Sequence, residues 1–176
     1  MPQITLHPLL QYSHRDAIGS PCSPILWDIR DPPTSSVRLC KNNKIITRSK
    51  LSDFATNPPV PFLTVTCGVL PYPWRIESRN PRGISILDLL EAIYRVVHTR
   101  IRPDEWNHLS EKHQDRVGMV FEQRWMTSAE PWNVRGNGVS RADCLLQSTG
   151  FAGLSMLAYD QGNVSCILTL SRNSRY

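Results

Sequence analysis

The chain has 176 residues, 40% of them hydrophobic and 20% charged, with 20 Lys and Arg against 15 Asp and Glu. These values fit one globular domain with a substantial core and exclude wholesale disorder. No apolar run approaches the ~20 residues that cross a bilayer. The start at Met1-Pro2-Gln3-Ile4 has no basic stretch leading into an apolar one, so neither a membrane association nor a secretory signal is expected.

Residues 1–24 read as an irregular arm packed on the body, with short apolar pieces such as Leu9-Leu10 among Pro, Ser and His. A first strand is expected over Ile25–Arg30, stopped at Asp31-Pro32-Pro33. Asn57-Pro58-Pro59-Val60-Pro61 is a stiff extended lead-in, since proline fixes its own φ and restricts the residue before it. Phe62–Cys67 and Tyr72–Ser78 then alternate as an antiparallel pair, with Leu63, Val65 and Cys67 on one face and Trp74, Ile76 and Ser78 on one face.

The clearest helix follows. Ser85 and Asp88 make an S-x-x-D capping signal, and Ile86, Leu89, Leu90, Ile93, Tyr94 and Val97 recur at three- and four-residue steps. Pro103 suits the first turn of a short helix through Leu109. Ser110 caps a third, with Val117, Val120, Phe121 and Trp125 along one face. Residues 127–139 read as a loop, and strands are expected at Ser140–Gln147 and Val164–Leu170. The order of strands, helices and strands argues for an α+β single domain over 25–171, its mainly antiparallel sheet covered on one face by the helices of 86–126. Residues 172–176 form a tail.

The basic excess is local. Arg38, Lys41, Lys44, Arg48 and Lys50 fall within residues 38–50 with no acid among them, and the rest of the chain is balanced. The segment reads as a solvated loop or an edge hairpin guarded by Lys; as a functional element it offers these five cations to phosphates without base readout. Cys22, Cys40, Cys67, Cys144 and Cys166 show no CxxC spacing, so no metal site is expected, and reduced thiols fit a cytosolic compartment. Walker, GxGxxG and GxSxG signatures are absent, and no cofactor is expected.

Candidates for chemistry are sparse. On the expected strand 140–147, Arg141 and Asp143 share a face, as a substrate-binding arginine beside a catalytic acid or as a structural ion pair. Asp28 shares the outward face of the first strand with Arg30. His7 is the histidine able to complete a site with Asp28 or Asp143 if the arm folds back. Trp27, Trp74 and Trp132 are the aromatic candidates for ligand or partner contact, Trp132 as the exposed anchor.

Several patches recur in an order that carries a resemblance: Leu6-His7-Pro8-Leu9-Leu10, Trp27-Asp28, Ala55-Thr56-Asn57-Pro58-Pro59-Val60, Pro73-Trp74-Arg75-Ile76, Asp88–Tyr94, Arg141–Leu146 and Phe151-Ala152-Gly153-Leu154. Together they resemble a family of small domains of unknown function that is abundant in mushroom-forming basidiomycete fungi. Residues 38–50 look like an insertion in that pattern, and Gln147-Ser148-Thr149-Gly150 before Phe151 lacks the glycine and basic residues that the pattern has there. The resemblance implies a fungal, intracellular protein and supplies no activity. The leading expectation is a non-enzymatic module for a protein partner or small ligand. The alternatives are a cofactor-free enzyme using His7, Asp28, Arg141 or Asp143, and weak nucleic-acid binding through residues 38–50.

Overall fold

A computed structural model describes residues 4–12, 23–69, 73–160 and 163–173. Residues 13–22 of the arm with His14 and Cys22, Tyr72 at the expected strand start, and 174–176 of the tail lie outside the described residues. In chain order the elements are β1 (Thr5–Leu6), β2 (Ile25–Leu26), α1 (Pro33–Ser36), β3 (Arg38–Leu39), α2 (Arg48–Leu51), β4 (Thr56–Asn57), β5 (Phe62–Cys67) and β6 (Trp74–Arg79). Then follow α3 (Ile86–Val97), α4 (Pro103–Asn107), α5 (Glu111–Met126), α6 (Pro131–Asn137), α7 (Arg141–Cys144), β7 (Gly150–Asp160) and β8 (Asn163–Ser171). The architecture is α+β.

The main sheet has the order β6-β5-β8-β7. β5 and β6 pair antiparallel with Val65 opposite Ile76, as alternation predicts, and β7 and β8 form a long hairpin. β5 and β8 run parallel, Val65 opposite Cys166, so one central pair departs from an otherwise antiparallel sheet. Leu63, Val65, Ile76, Val164, Cys166 and Leu168 are buried on the core face, while Arg75, Glu77 and Arg79 face outward.

α3 lies against β6. Its capping box is complete: Ser85 Oγ accepts from the Asp88 N–H, and Asp88 Oδ2 accepts from the Ser85 N–H. Ile86, Leu89, Leu90, Ile93 and Val97 are fully buried, each contributing on the order of 2 kcal/mol of burial before entropy is counted. α5 starts at the Ser110 cap and packs against α6 and α7. Of its expected stripe only Val117 is buried; Val120, Phe121 and Trp125 are half-covered.

Three expectations need correction. The expected strand Ser140–Gln147 is the short helix α7 and a turn. Asp143 Oδ2 accepts from the Ser140 N–H at 2.8 Å and from its hydroxyl at 3.0 Å, closing a helical start that a strand would pull apart. The C-terminal hairpin instead uses β7, whose alternation is broken by two register shifts. At the first, Gly153 sits at φ +127°, and a Cβ there would stand 2.5 Å from the Tyr12 backbone, so the arm crosses where only glycine leaves room. The expected loop 127–139 contains α6, begun by Pro131 at its first position. The first strand is shorter than expected. After Leu26 the chain keeps a single bridge, Asp28 to Gly150 at the start of β7, with Phe151 N–H donating to Trp27 O and Ile29 N–H to Thr149 O, and then turns at Ile29 and Arg30.

The basic segment is built into the body. Val37, Ile46 and Leu51 are buried around it, β3 pairs with β2, and α2 is capped by Thr47 Oγ1.

Candidate functional site

The four residues nominated for chemistry each answer to a different partner. Asp28 is 8% exposed and accepts from the Arg30 N–H at 3.0 Å, Arg30 Nη2 at 2.7 Å and Asn173 Nδ2 at 2.6 Å. Burial pushes its carboxyl upward, but the Arg30 and Asn173 hydrogen bonds together outweigh that and hold it below the ordinary value. Arg141, on α7, forks onto buried Glu105 through Nη2–Oε1 at 2.6 Å and lies over the Trp74 ring. Asp143 takes Arg124 in a bidentate pair, Nε–Oδ1 2.7 Å and Nη2–Oδ2 2.8 Å. A one-turn helix thus sends Arg141 and Asp143 to separate partners, where a strand would have aligned them.

His7 accepts the Leu9 N–H at Nδ1, which puts the neutral ring's proton on Nε2. That atom is 3.8 Å from Asp53, whose carboxylate is held by Lys50 at 2.6 Å. Burial and the Lys50 charge lower the His7 pKa, and Asp53 offsets them only in part. His7 is therefore neutral at physiological pH, and the 3.8 Å approach is not a working ion pair.

Of the tryptophans, Trp74 is 3% exposed and has the Arg141 guanidinium over its ring. Trp132 is 76% exposed on α6, with the Arg135 guanidinium between it and Trp125. Trp27 is buried, donates from Nε1 to Asp31 O at 2.9 Å and tilts against Phe151. In the basic segment Lys41, Lys44 and Arg48 are exposed. Arg38 reaches back to Asn43 O, and Lys50 is committed to Asp53.

Two clefts stand out. The first, of about 590 Å³, opens between β2, α1 and the base of the β7–β8 hairpin, lined among others by Trp27, Asp28, Asp31, Arg38, Phe151 and Arg172. It brings together three residues singled out from the sequence for three different roles. Its wall is aromatic at Trp27 and Phe151, and charges of both signs flank it. The second, of about 530 Å³, lies between the end of α3 and the α6–α7 connection. Arg30, His98, Arg100 and Arg124 line it with Gly138 and Ser140; among the described residues no Asp or Glu does. Nothing in the sequence spacing announces that cluster, because its side chains come from four separate stretches of chain. His98-x-Arg100 at a helix C-terminus, where cations complement the dipole, is the only local hint.

Among the described residues no group of three His, Cys, Asp or Glu stands together to hold a metal ion. No helix there is long and apolar enough to cross a membrane. Cys67, Cys144 and Cys166 are buried free thiols.

Residues 25–164 match a family of unknown function, DUF6699. The chain belongs to that family. No curated protein and no solved structure matches it.

Proposed function

We propose that this domain is a non-enzymatic binding module that takes a small ligand in the cleft beside Trp27. The observation that carries the reading is the meeting of Trp27, Asp28 and Arg38 in one cavity. Its volume falls within the roughly 300–1,000 Å³ typical of small-molecule sites. Phe151 and the Trp27 edge supply an apolar wall, and Arg38, Arg172 and Asp31 supply orienting charges. A ligand with a flat apolar part and polar substituents of both signs fits that lining.

An enzymatic reading finds less support. General acid–base work needs groups converging on one reacting atom, and His7, Asp28, Arg141 and Asp143 are held by the Leu9 N–H, Arg30, Glu105 and Arg124. A nucleic-acid role through residues 38–50 is weakened by the commitment of Lys50 to Asp53. The free thiols fit a reducing, intracellular setting, and the fungal origin implied by the resemblance goes with it.

The test is a thermal-shift screen of metabolites, repeated on an Arg38→Gln variant. A ligand at 100 times its Kd adds about 2.7 kcal/mol, a shift of several degrees at this size. Hits that stabilise the parent and lose their effect in R38Q support the reading. Hits that act equally on both variants contradict it.

A further inference from the structure

We infer that the second cleft, bounded by Arg30, His98, Arg100 and Arg124, is an anion site that takes the phosphoryl group of a small phosphate-bearing molecule. It is separate from the Trp27 cleft, and the two readings stand or fall independently.

The charge balance carries the argument. Arg30 and Arg124 are each matched by a carboxylate, Asp28 and Asp143. Both carboxylates are almost fully buried behind their arginines, and neither lines this cleft. These pairs fix the guanidinium planes rather than consuming them. Arg124 meets Asp143 through Nε and Nη2 and also gives Nη2 to Gly138 O, leaving the Nη1 edge for a ligand. Arg100 has no ion-pair partner among the described residues, so its charge is the uncompensated one. Its guanidinium lies along Gly138, where a Cβ would stand 3.3 Å from Arg100 Nε. Gly138 holds φ +73°, so a residue nearly confined to glycine gives Arg100 its place at the cleft wall.

His98 completes the set. Its Nδ1 lies 2.8 Å from Tyr94 O and donates to it, and its ring packs on Tyr94 with centroids 4.0 Å apart. Its side chain lines the cleft beside Arg100. Three arginines lining a pocket with no Asp or Glu suit a tetrahedral oxyanion, whose oxygens diverge, better than a single planar carboxylate. The cavity of about 530 Å³ exceeds what one phosphate fills, leaving space for the organic body that carries it.

The experiment is isothermal titration of the whole chain with inorganic phosphate, pyrophosphate and citrate, at 50 and 200 mM NaCl. It compares the parent with Arg100→Gln and with the triple variant Lys41→Gln/Lys44→Gln/Arg48→Gln; both sets lie on exposed side chains, so folding is retained. The expected result is one pyrophosphate site, weaker at the higher salt. R100Q should lower its affinity at least tenfold, about 1.4 kcal/mol, with the triple variant unchanged. Loss of binding in the triple variant but not in R100Q overturns the assignment, as does absence of phosphate and pyrophosphate binding at millimolar concentration. Binding of citrate alone overturns the phosphate class.

Discussion

Arg124 and Asp143 join α5 to α7 by two parallel hydrogen bonds of 2.7 and 2.8 Å, from residues 19 apart in sequence. Asp143 is 2% exposed and also accepts the Ser140 N–H and hydroxyl. One carboxylate thus starts a helix, fixes an arginine at the rim of the acid-free cleft and closes the helical layer. Removing it as Asp143→Ala strands those donors, and breaking a buried pair costs roughly 3 kcal/mol. Thermal melts should show Tm falling by about 6–12 °C. Ser85→Ala, which removes only a half-buried cap, should cost about 1 kcal/mol.

Stability should fall with acid in two stages. His7 has its folded pKa below the ordinary 6.5, so below pH 6.5 the unfolded chain binds the extra proton first. The neutral-His7 contribution is complete above that value and is lost as pH falls toward the folded pKa. Asp28 and Asp88 are depressed from 3.8, burial opposing and hydrogen bonds from Arg30 and Asn173, or Asn80 and Ser85, prevailing. Their contribution is present above 3.8 and disappears as pH drops through their lower folded values. Urea titrations from pH 7.5 to 3 check this. His7→Asn, which keeps an acceptor for the Leu9 N–H, should remove the upper stage and leave the lower one.

Three thiols should resist alkylation in the folded protein. Burial pushes Cys166 up to about 12; burial with the Asp143 and Glu105 charges does the same for Cys144; and Cys67 is raised by burial. Mass mapping after brief N-ethylmaleimide treatment at pH 7.5 should find Cys67, Cys144 and Cys166 unmodified, with half-buried Cys40 labelled ahead of them. Rapid native labelling of Cys144 would contradict the packing of α7.

The tryptophans should separate by burial. Trp132→Ala removes a side chain that is 76% exposed and should change stability by less than about 0.5 kcal/mol. Trp27→Ala opens the space against Phe151 and strips the hydrogen bond to Asp31, costing roughly 3–5 kcal/mol. Paired denaturation curves measure the difference.

The elements legible in the sequence are those where cap, period and length agree. Ser85 to Val97 has a capping signal and an unbroken apolar stripe; β5 and β6 alternate without a bulge. The segment after Ser140 carries the same S-x-x-D signal, but Ala142, Cys144 and Leu146 alternate over a run too short to distinguish periods of 2 and 3.6. β7 was hidden by the opposite effect. Its two register shifts destroy the alternation that would reveal it, and the first lies at Gly153, where Tyr12, far away in sequence, crosses the strand. The meeting of Trp27, Asp28 and Arg38 depends on β2–β3 pairing and on the hairpin base, and Arg30, Arg100 and Arg124 converge only after the helical layer is assembled. Tertiary placement of this kind leaves no local pattern to read.

The most direct measurement is fluorine NMR of the 5-fluorotryptophan-labelled chain, each of its five resonances assigned by a Trp→Phe substitution, titrated with the strongest hit from the ligand screen. The account predicts that the Trp27 signal moves with saturation while Trp132 stays fixed, and that Arg38→Gln abolishes the movement. Saturable movement of Trp132 with an unmoved Trp27 would contradict it and relocate binding to α6.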